Sequence, residues 1–290
     1  MTHRSRRSSI GGTLAVAFLA ASSALATTGL LSAGAAQAAS LPTISIAATA
    51  TTATVTGPLE SGGANIVSSA TGLKEGSLIL FLLKPGATVA EAEAYLHGGK
   101  GKGDPNNSAE LGTIVFDTEL ASGQRSESQT NLAPGQYLVL VGLNEGNGEP
   151  KLASTFKVSP AKAPAGLPNP EATVRSIDFA FRGPSTLHDG ELVRFENEGF
   201  LVHMDVAFPV KSMKAAKQAV KYLLAGKEKA VEKLISGPPA TFAGPLSHGA
   251  YQQETISAKP GIYVQVCFME TQDGRDHTRL GMERIIKITK

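Results

Sequence analysis

Cysteine is almost absent from this 290-residue chain: there is one, Cys267. No disulfide can form within it, although exported proteins generally pair their cysteines. A solitary thiol in an oxidising compartment is a liability unless it is buried or bound to something. A basic domain is missing too. Lys+Arg and Asp+Glu number 27 and 25, whereas a nucleic-acid binder shows a strongly basic face. No Gly-rich phosphate loop and no Ser/His/Asp set in recognisable context occurs, which argues against nucleotide-dependent and hydrolytic chemistry.

What is present begins with a leader. Arg4, Arg6 and Arg7 precede an uncharged run from Thr13 to Ala38 that closes on Ala36-Gln37-Ala38. A basic segment, an apolar run and a small-x-small end form the pattern of a cleavable signal peptide over 1–38. The rival is a retained membrane anchor, which the richness in Ala, Ser, Thr and Gly opposes. Ser5-Arg6-Arg7 hints at twin-arginine export, and no Cys follows the run to take a lipid. The mature chain is then expected outside the cytoplasm, in the periplasm, at the envelope or secreted, without a membrane span. Cleavage removes three arginines and no acid, so the mature charge falls close to zero.

The remainder reads as one unit written twice. Gly72, Phe81, Ala92, Tyr95, Leu96 and Gly99 meet Gly199, Phe208, Ala219, Tyr222, Leu223 and Gly226 at a constant shift. Pro134-Gly135-Gln136-Tyr137 likewise matches Pro260-Gly261-Ile262-Tyr263. Such self-similarity marks an internal duplication. Between the copies Ser159 to Pro170 holds four prolines, the composition of a semi-extended linker. The expected units are an N-terminal domain over 39–158, a linker over 159–171 and a C-terminal domain over 172–290. Alternating residues predict strands over 191–197, 201–208, 262–268 and 281–289. Ser212 is placed to cap a helix whose apolar stripe is Ala216, Ala219, Val220, Leu223 and Leu224. Pro-Gly turns and short strands predict an all-β fold, two Greek-key β-sandwich domains each with a helical insertion.

The second copy carries His203, Cys267, His277 and Met282. One thiolate, two imidazoles and a weak thioether are the donors of a mononuclear electron-transfer copper site, because soft sulfur favours Cu(I) and imidazole serves both oxidation states. Cys267-x9-His277-x4-Met282 resembles the ligand loop of the cupredoxins, the blue copper proteins. The turn Asn197-Glu198-Gly199 before His203 and the Pro260-Gly261-Ile262-Tyr263 lead-in to Cys267 are similar to the same family. The resemblance covers about residues 172–290, and the first copy more loosely. It implies a cupredoxin-like fold in both copies and one copper ion in the second, held by His203, Cys267, His277 and Met282, with an unidentified redox partner protein. It also exposes departures. Azurin and plastocyanin carry an Asn after the first His that ties the two ligand loops together, and here that residue is Met204. In the first copy Gly76 and Val141 stand where His203 and Cys267 do, so that domain lacks the metal ligands.

Plainer readings compete. A lone Cys is more often a small buried hydrophobe than a ligand, and a Met after a loop is commonly core. His97, His188 and His248 have no partner pattern and are expected to face solvent, as are the lysines of the helical insertion. An enzyme is disfavoured: the mature chain has five histidines, against the eight more that a multicopper oxidase cluster needs. Val266 stands where copper nitrite reductase, by resemblance, carries a His before the Cys. Three functions stay open: a one-electron carrier through a type 1 copper site, a copper sequestering or delivery module, and a metal-free surface or interaction protein.

Overall fold

The computed structural model describes residues 40–97, 104–143 and 150–290. The leader expected over 1–38 and the repeat position Gly99 lie outside the described residues. In β1 (Thr43–Ala48) Ile44, Ile46 and Ala48 are buried between exposed neighbours, the two-residue period of a half-buried strand. The chain continues through β2 (Ala53–Thr56), β3 (Gly62–Ala70), β4 (Gly76–Leu83), α1 (Val89–His97), β5 (Gly112–Leu120), β6 (Arg125–Leu132), β7 (Gly135–Leu143) and β8 (Lys151–Val158). A second series begins with β9 (Ala172–Ile177), β10 (Ala180–Arg182), β11 (Thr186–His188), β12 (Leu192–Asn197) and β13 (Val206–Val210). It ends with α2 (Met213–Leu224), α3 (Glu228–Glu232), β14 (Ala240–Thr241), β15 (Tyr251–Thr255), β16 (Gly261–Val266) and β17 (Glu283–Thr289).

The same topology occurs in both series. β1 pairs parallel with β3 and antiparallel with β2, as β9 does with β12 and β10. β4 lies between β5 and β7, as β13 lies between β14 and β16. Each series forms a sandwich around its own apolar core: Ile44, Ile66, Leu80 and Tyr137 in the first, Val174, Phe195, Tyr263 and Ile286 in the second. The shared Pro-Gly-x-Tyr has one physical purpose in both. The Tyr137 hydroxyl donates to the Ala133 carbonyl at 2.9 Å and the Tyr263 hydroxyl to the Lys259 carbonyl at 2.8 Å. Each phenol thereby fills the core and pins the turn behind it.

Two sheets, one from each sandwich, join edge to edge. β6 pairs with β15 through Thr130–Gln252 and Gln129–Gln253, giving one eight-stranded sheet in the order β10-β9-β12-β15-β6-β3-β1-β2. Directional bonds fix this seam: the Asp117 N–H donates to Gln252 Oε1 at 3.2 Å, and Ile114 exchanges two bonds with Ser247. Residues 159–171 run along the first sandwich, where Gly63 donates its N–H to the Ala165 carbonyl at 2.7 Å.

Ser212 caps α2 through a bond to the Ala215 N–H at 3.2 Å, and Ala216, Ala219 and Leu223 are buried. Leu224, expected on the same stripe, is exposed. Lys211, Lys214, Lys217, Lys221, Lys227, Lys229 and Lys233 face solvent. The strand expected over 201–208 forms only from Val206 onward. Residues 198–205 are instead a loop: the N–H groups of Phe200, Leu201, Val202 and Met204 find side-chain acceptors, and those of Glu198, His203 and Asp205 bond to scattered carbonyls of Ser176, Leu246 and Ala243. No helix of the described residues is long and apolar enough to cross a membrane.

Candidate metal centre

β12 ends at Asn197, whose side chain builds the loop that follows. Its amide donates to the Leu201 carbonyl at 2.8 Å and the Leu246 carbonyl at 2.7 Å, while its oxygen accepts the Gly199 N–H at 2.8 Å. His203 and Leu246 then exchange backbone bonds, and the imidazole is turned inward at 2% exposure. Asp178 closes the loop from the β9–β10 turn. Its carboxylate accepts the N–H groups of Phe200 and Leu201 and, at 3.0 Å, His203 Nε2–H. Gly199 is required beneath this pair, since a Cβ there would lie 2.5 Å from His203 Nε2 and 2.8 Å from Asp178 Oδ1.

Cys267 follows β16 directly, and its Sγ accepts the Met204 N–H at 3.4 Å. His277 opens a 3-10 turn over His277–Leu280 that ends in left-handed Gly281 (φ 100°). The turn is anchored by the His277 N–H on the Met269 carbonyl and by the Met282 N–H on the His277 carbonyl. Met282 is wholly buried in the same core cluster as Cys267, and its carbonyl accepts the Cys267 N–H at 3.2 Å.

Three donors converge as a result. His203 Nδ1 and His277 Nδ1 are 3.1 Å apart, and Cys267 Sγ lies 3.8 Å and 3.4 Å from them. A first-row metal bonded at about 2.0–2.1 Å to nitrogen and 2.3 Å to sulfur spaces such donors roughly 3.1–3.8 Å apart. The donor set therefore fits one ion. In addition, His203 presents its second nitrogen to a carboxylate, the outer partner that orients metal-bound imidazoles. His277 Nε2 is buried without a hydrogen-bond partner, with the Phe179 ring edge-on at 5.3 Å.

Burial sets the protonation of the group. It pushes the Cys267 thiol up to about 12, against the Met204 and Met269 N–H groups that favour the thiolate. Burial, then the neighbouring His203, brings His277 down to about 4. Burial also lowers His203, opposed by Asp178. Burial works to raise Asp178, but the backbone donors and His203 together outweigh it and hold the carboxyl below its ordinary value. At neutral pH the imidazoles are uncharged and ready to ligate, and only the thiol has a proton to lose.

The loop tie missing at Met204 is supplied from the other sandwich. Asn106 Oδ1 accepts the Val202 N–H at 2.7 Å, beside His203. Its amide donates to the Glu270 carbonyl at 2.9 Å, inside the loop between Cys267 and His277. Asp104 holds the Asn106 backbone and side chain in turn. The sequence reading missed both Asn106 and Asp178. Nothing in their local sequence signals the role, because each reaches the site from a separate segment. Of the remaining histidines, His97, His188 and His248 are exposed. His188 meets Thr289 Oγ1, and His248 meets the Gly199 carbonyl.

No family model and no curated protein matches the chain. Among solved structures, reduced auracyanin from Roseiflexus castenholzii aligns over 41% of this chain and 95% of its own, with 16% identity and a TM-score of 0.24. The Cu-containing nitrite reductase NirK from Thermus scotoductus SA-01 aligns over 86% and 68%, with 13% identity and a TM-score of 0.25. The azurin Az-iso2 from Methylomonas sp. strain J aligns over 41% and 96%, with 14% identity and a TM-score of 0.22. At such scores the likeness carries no weight for function. The structure itself shows a strand topology that occurs twice and a buried His, Cys, His cluster drawn from the loops beside β13, β16 and β17.

Proposed function

We propose that the second sandwich binds one copper ion through His203, Cys267 and His277, with Met282 as a weaker fourth ligand, and that the protein carries single electrons outside the cytoplasm. The observation that supports this most is the convergence of two imidazole nitrogens and one thiol within 4.8 Å, all buried. Copper suits this mixture of soft sulfur and imidazole, and a bound copper ion supplies a one-electron couple. The protein's part is to hold the donors still. Asn197, Asp178 and Asn106 fix the two loops, so the ligand positions need to change little between oxidation states. The Met204 N–H directed at Cys267 Sγ stabilises thiolate charge.

In this reading the chain divides into a domain over 39–158 without metal ligands, a linker over 159–171 and a copper domain over 172–290. A signal peptide over 1–38 directs export, and an unidentified protein is the redox partner. One His/Cys cluster of this kind occurs among the described residues, which favours a carrier over an enzyme with coupled metals. A sequestering or delivery role fits less well, since handing on an ion needs accessible donors and these are enclosed.

The test is a visible spectrum of purified protein before and after one equivalent of Cu(II), followed by voltammetry. An intense thiolate-to-copper band that is absent in Cys267→Ser, with a reversible one-electron wave, is the expected result. Colourless protein that loses copper on desalting refutes copper binding. A retained ion without a reversible wave refutes the carrier.

A further inference from the structure

The first sandwich has apolar residues on both faces of one sheet. β4 and β7 turn Leu80 and Val139 into the core, yet Ile79, Phe81, Leu138 and Leu140 on the outer face are apolar as well. α1 and the ligand loops of the second sandwich cover this outer layer and leave a hollow of about 360 Å3. Protein interiors rarely leave voids much larger than a water molecule, and a dry cavity of about 150 Å3 is already enough to take up benzene. Sites for small organic molecules are largely apolar, begin near 300 Å3 and favour the junctions between domains. This hollow has all three properties. Tyr95 and Leu96 wall one side, and Met204, Pro245 and Met269 wall the other.

Among the described lining residues, charge is confined to one strand. Asp117 and Glu119 of β5 line the hollow, and among the described residues lining it there is no Lys, Arg or His. Asp117 is 2% exposed and rests against Gly244, a position with no room for a Cβ. Its backbone N–H and carbonyl are bonded to Gln252, but among the described residues no group donates to its carboxyl. Glu254 adds a third nearby carboxyl. Burial, then the neighbouring Glu119 and Glu254, raise the Asp117 carboxyl well above its ordinary value, so its charged form is costly unless a cation lies against it.

We infer that this hollow binds a small organic cation, an apolar body bearing one protonated amine. The ammonium meets the Asp117 carboxylate, and the body lies against Phe81, Leu138, Met204 and Met269. A charge-assisted hydrogen bond gives Asp117 the partner it lacks and offsets the desolvation of both charges. Phe81 and Tyr95 add aromatic rings to the lining, and such rings attract cations. The site borders the metal centre through Met204 and Met269 but contains none of its donors, so binding does not require the metal.

The experiment titrates the metal-free full chain with 2-phenylethylammonium, ethylbenzene and 3-phenylpropionate, following the amide resonances of Met204, Gly244 and Met269. The ammonium is expected to saturate with a dissociation constant below about 1 mM, and the two isosteres to bind at least about tenfold more weakly. Asp117→Asn removes the charge at constant size and should weaken the ammonium about tenfold or more. Leu138→Trp fills the hollow and should abolish binding. Absence of shifts at about 10 mM ammonium, equal binding by ethylbenzene, or unchanged affinity in Asp117→Asn overturns the assignment. Because no copper is present, none of these results bears on the copper proposal.

Discussion

Removing the Asn106 side chain tests whether the first sandwich is part of the proposed metal centre. Its amide makes three bonds: from the Val202 N–H at 2.7 Å, to the Glu270 carbonyl at 2.9 Å and to Asp104 Oδ1 at 3.0 Å. Asn106→Ala leaves the buried Val202 N–H and the part-buried Glu270 carbonyl without partners. Each such orphan costs about 1–3 kcal/mol, and the small cavity left by the amide adds to it. Partial rescue by water brings the expected loss of stability in the metal-free protein to about 2–3 kcal/mol.

The metal-bound state should suffer more. Val202 and Glu270 belong to the two loops that bring His203 to Cys267 and His277, so untying them lets the donors drift from the geometry an ion needs. Outer partners of metal ligands typically change affinity about 10–100-fold, and that range is expected for copper in Asn106→Ala. The assay is denaturant unfolding with and without one equivalent of copper, combined with competition against a chelator. Stabilisation by copper follows from its preference for the folded state, so it should shrink by about 1.4–2.8 kcal/mol in the variant. Lost stability with copper affinity and spectrum intact would refute the reasoning, leaving Asn106 as a staple between the sandwiches and nothing more.

Three further outcomes are expected. Copper binding at pH 7 should release close to one proton per ion, measured by calorimetry in two buffers, because the Cys267 thiol sits near 12 and the imidazoles are already neutral; release near zero would rule out thiolate ligation. Asp178→Asn removes the anion that holds His203 Nε2–H at 3.0 Å, and should raise the copper potential by roughly 50–100 mV, where 59 mV corresponds to tenfold for one electron; a fall in potential on voltammetry would contradict it. Burial raises the Glu254 carboxyl to about 8, so the folded state holds a proton that the unfolded chain releases near its ordinary value, and stability must fall as pH rises from about 4.5 to 8. Glu254→Gln should remove that slope and add on the order of 4 kcal/mol at pH 8 and almost nothing near pH 4, and parallel pH profiles of denaturation for both proteins would refute it.

The fold was legible where one element's pattern is set by one core. β1 shows its alternation outright, and Ser212 with the Ala216, Ala219 and Leu223 spacing marks the start of α2 and its buried face. Legibility failed where side chains compete with the ladder for backbone groups. Residues 201–205 alternate like a strand, but Asp178 and Asn106 take the N–H groups of Leu201 and Val202, Asn197 takes that of Gly199, and a continuous strand begins only at Val206. His203, Cys267, His277 and Met282 could be singled out because their chemical types are rare in this chain. Asp178 and Asn106 could not, being common residues whose roles exist only after the β9–β10 turn and the first sandwich have docked.

The seam between the sandwiches explains why a half without His or Cys ligands can still belong to the site. An apolar contact alone would let the two bodies slide, since burial of apolar area has no direction. Here Thr130 donates to the Tyr251 carbonyl, Gln252 brackets the Asp117 backbone, and Ser247 exchanges bonds with Ile114. These polar groups are almost fully buried, so a displaced arrangement would leave several donors and acceptors unpaired at about 1–3 kcal/mol each. The penalty admits one register, and in that register Asn106 lies between the loops carrying His203 and His277. At the positions matching His203 and Cys267 the first copy has Gly76 in a strand and Val141 in the core, while the position of its loops is constrained by the centre of the second.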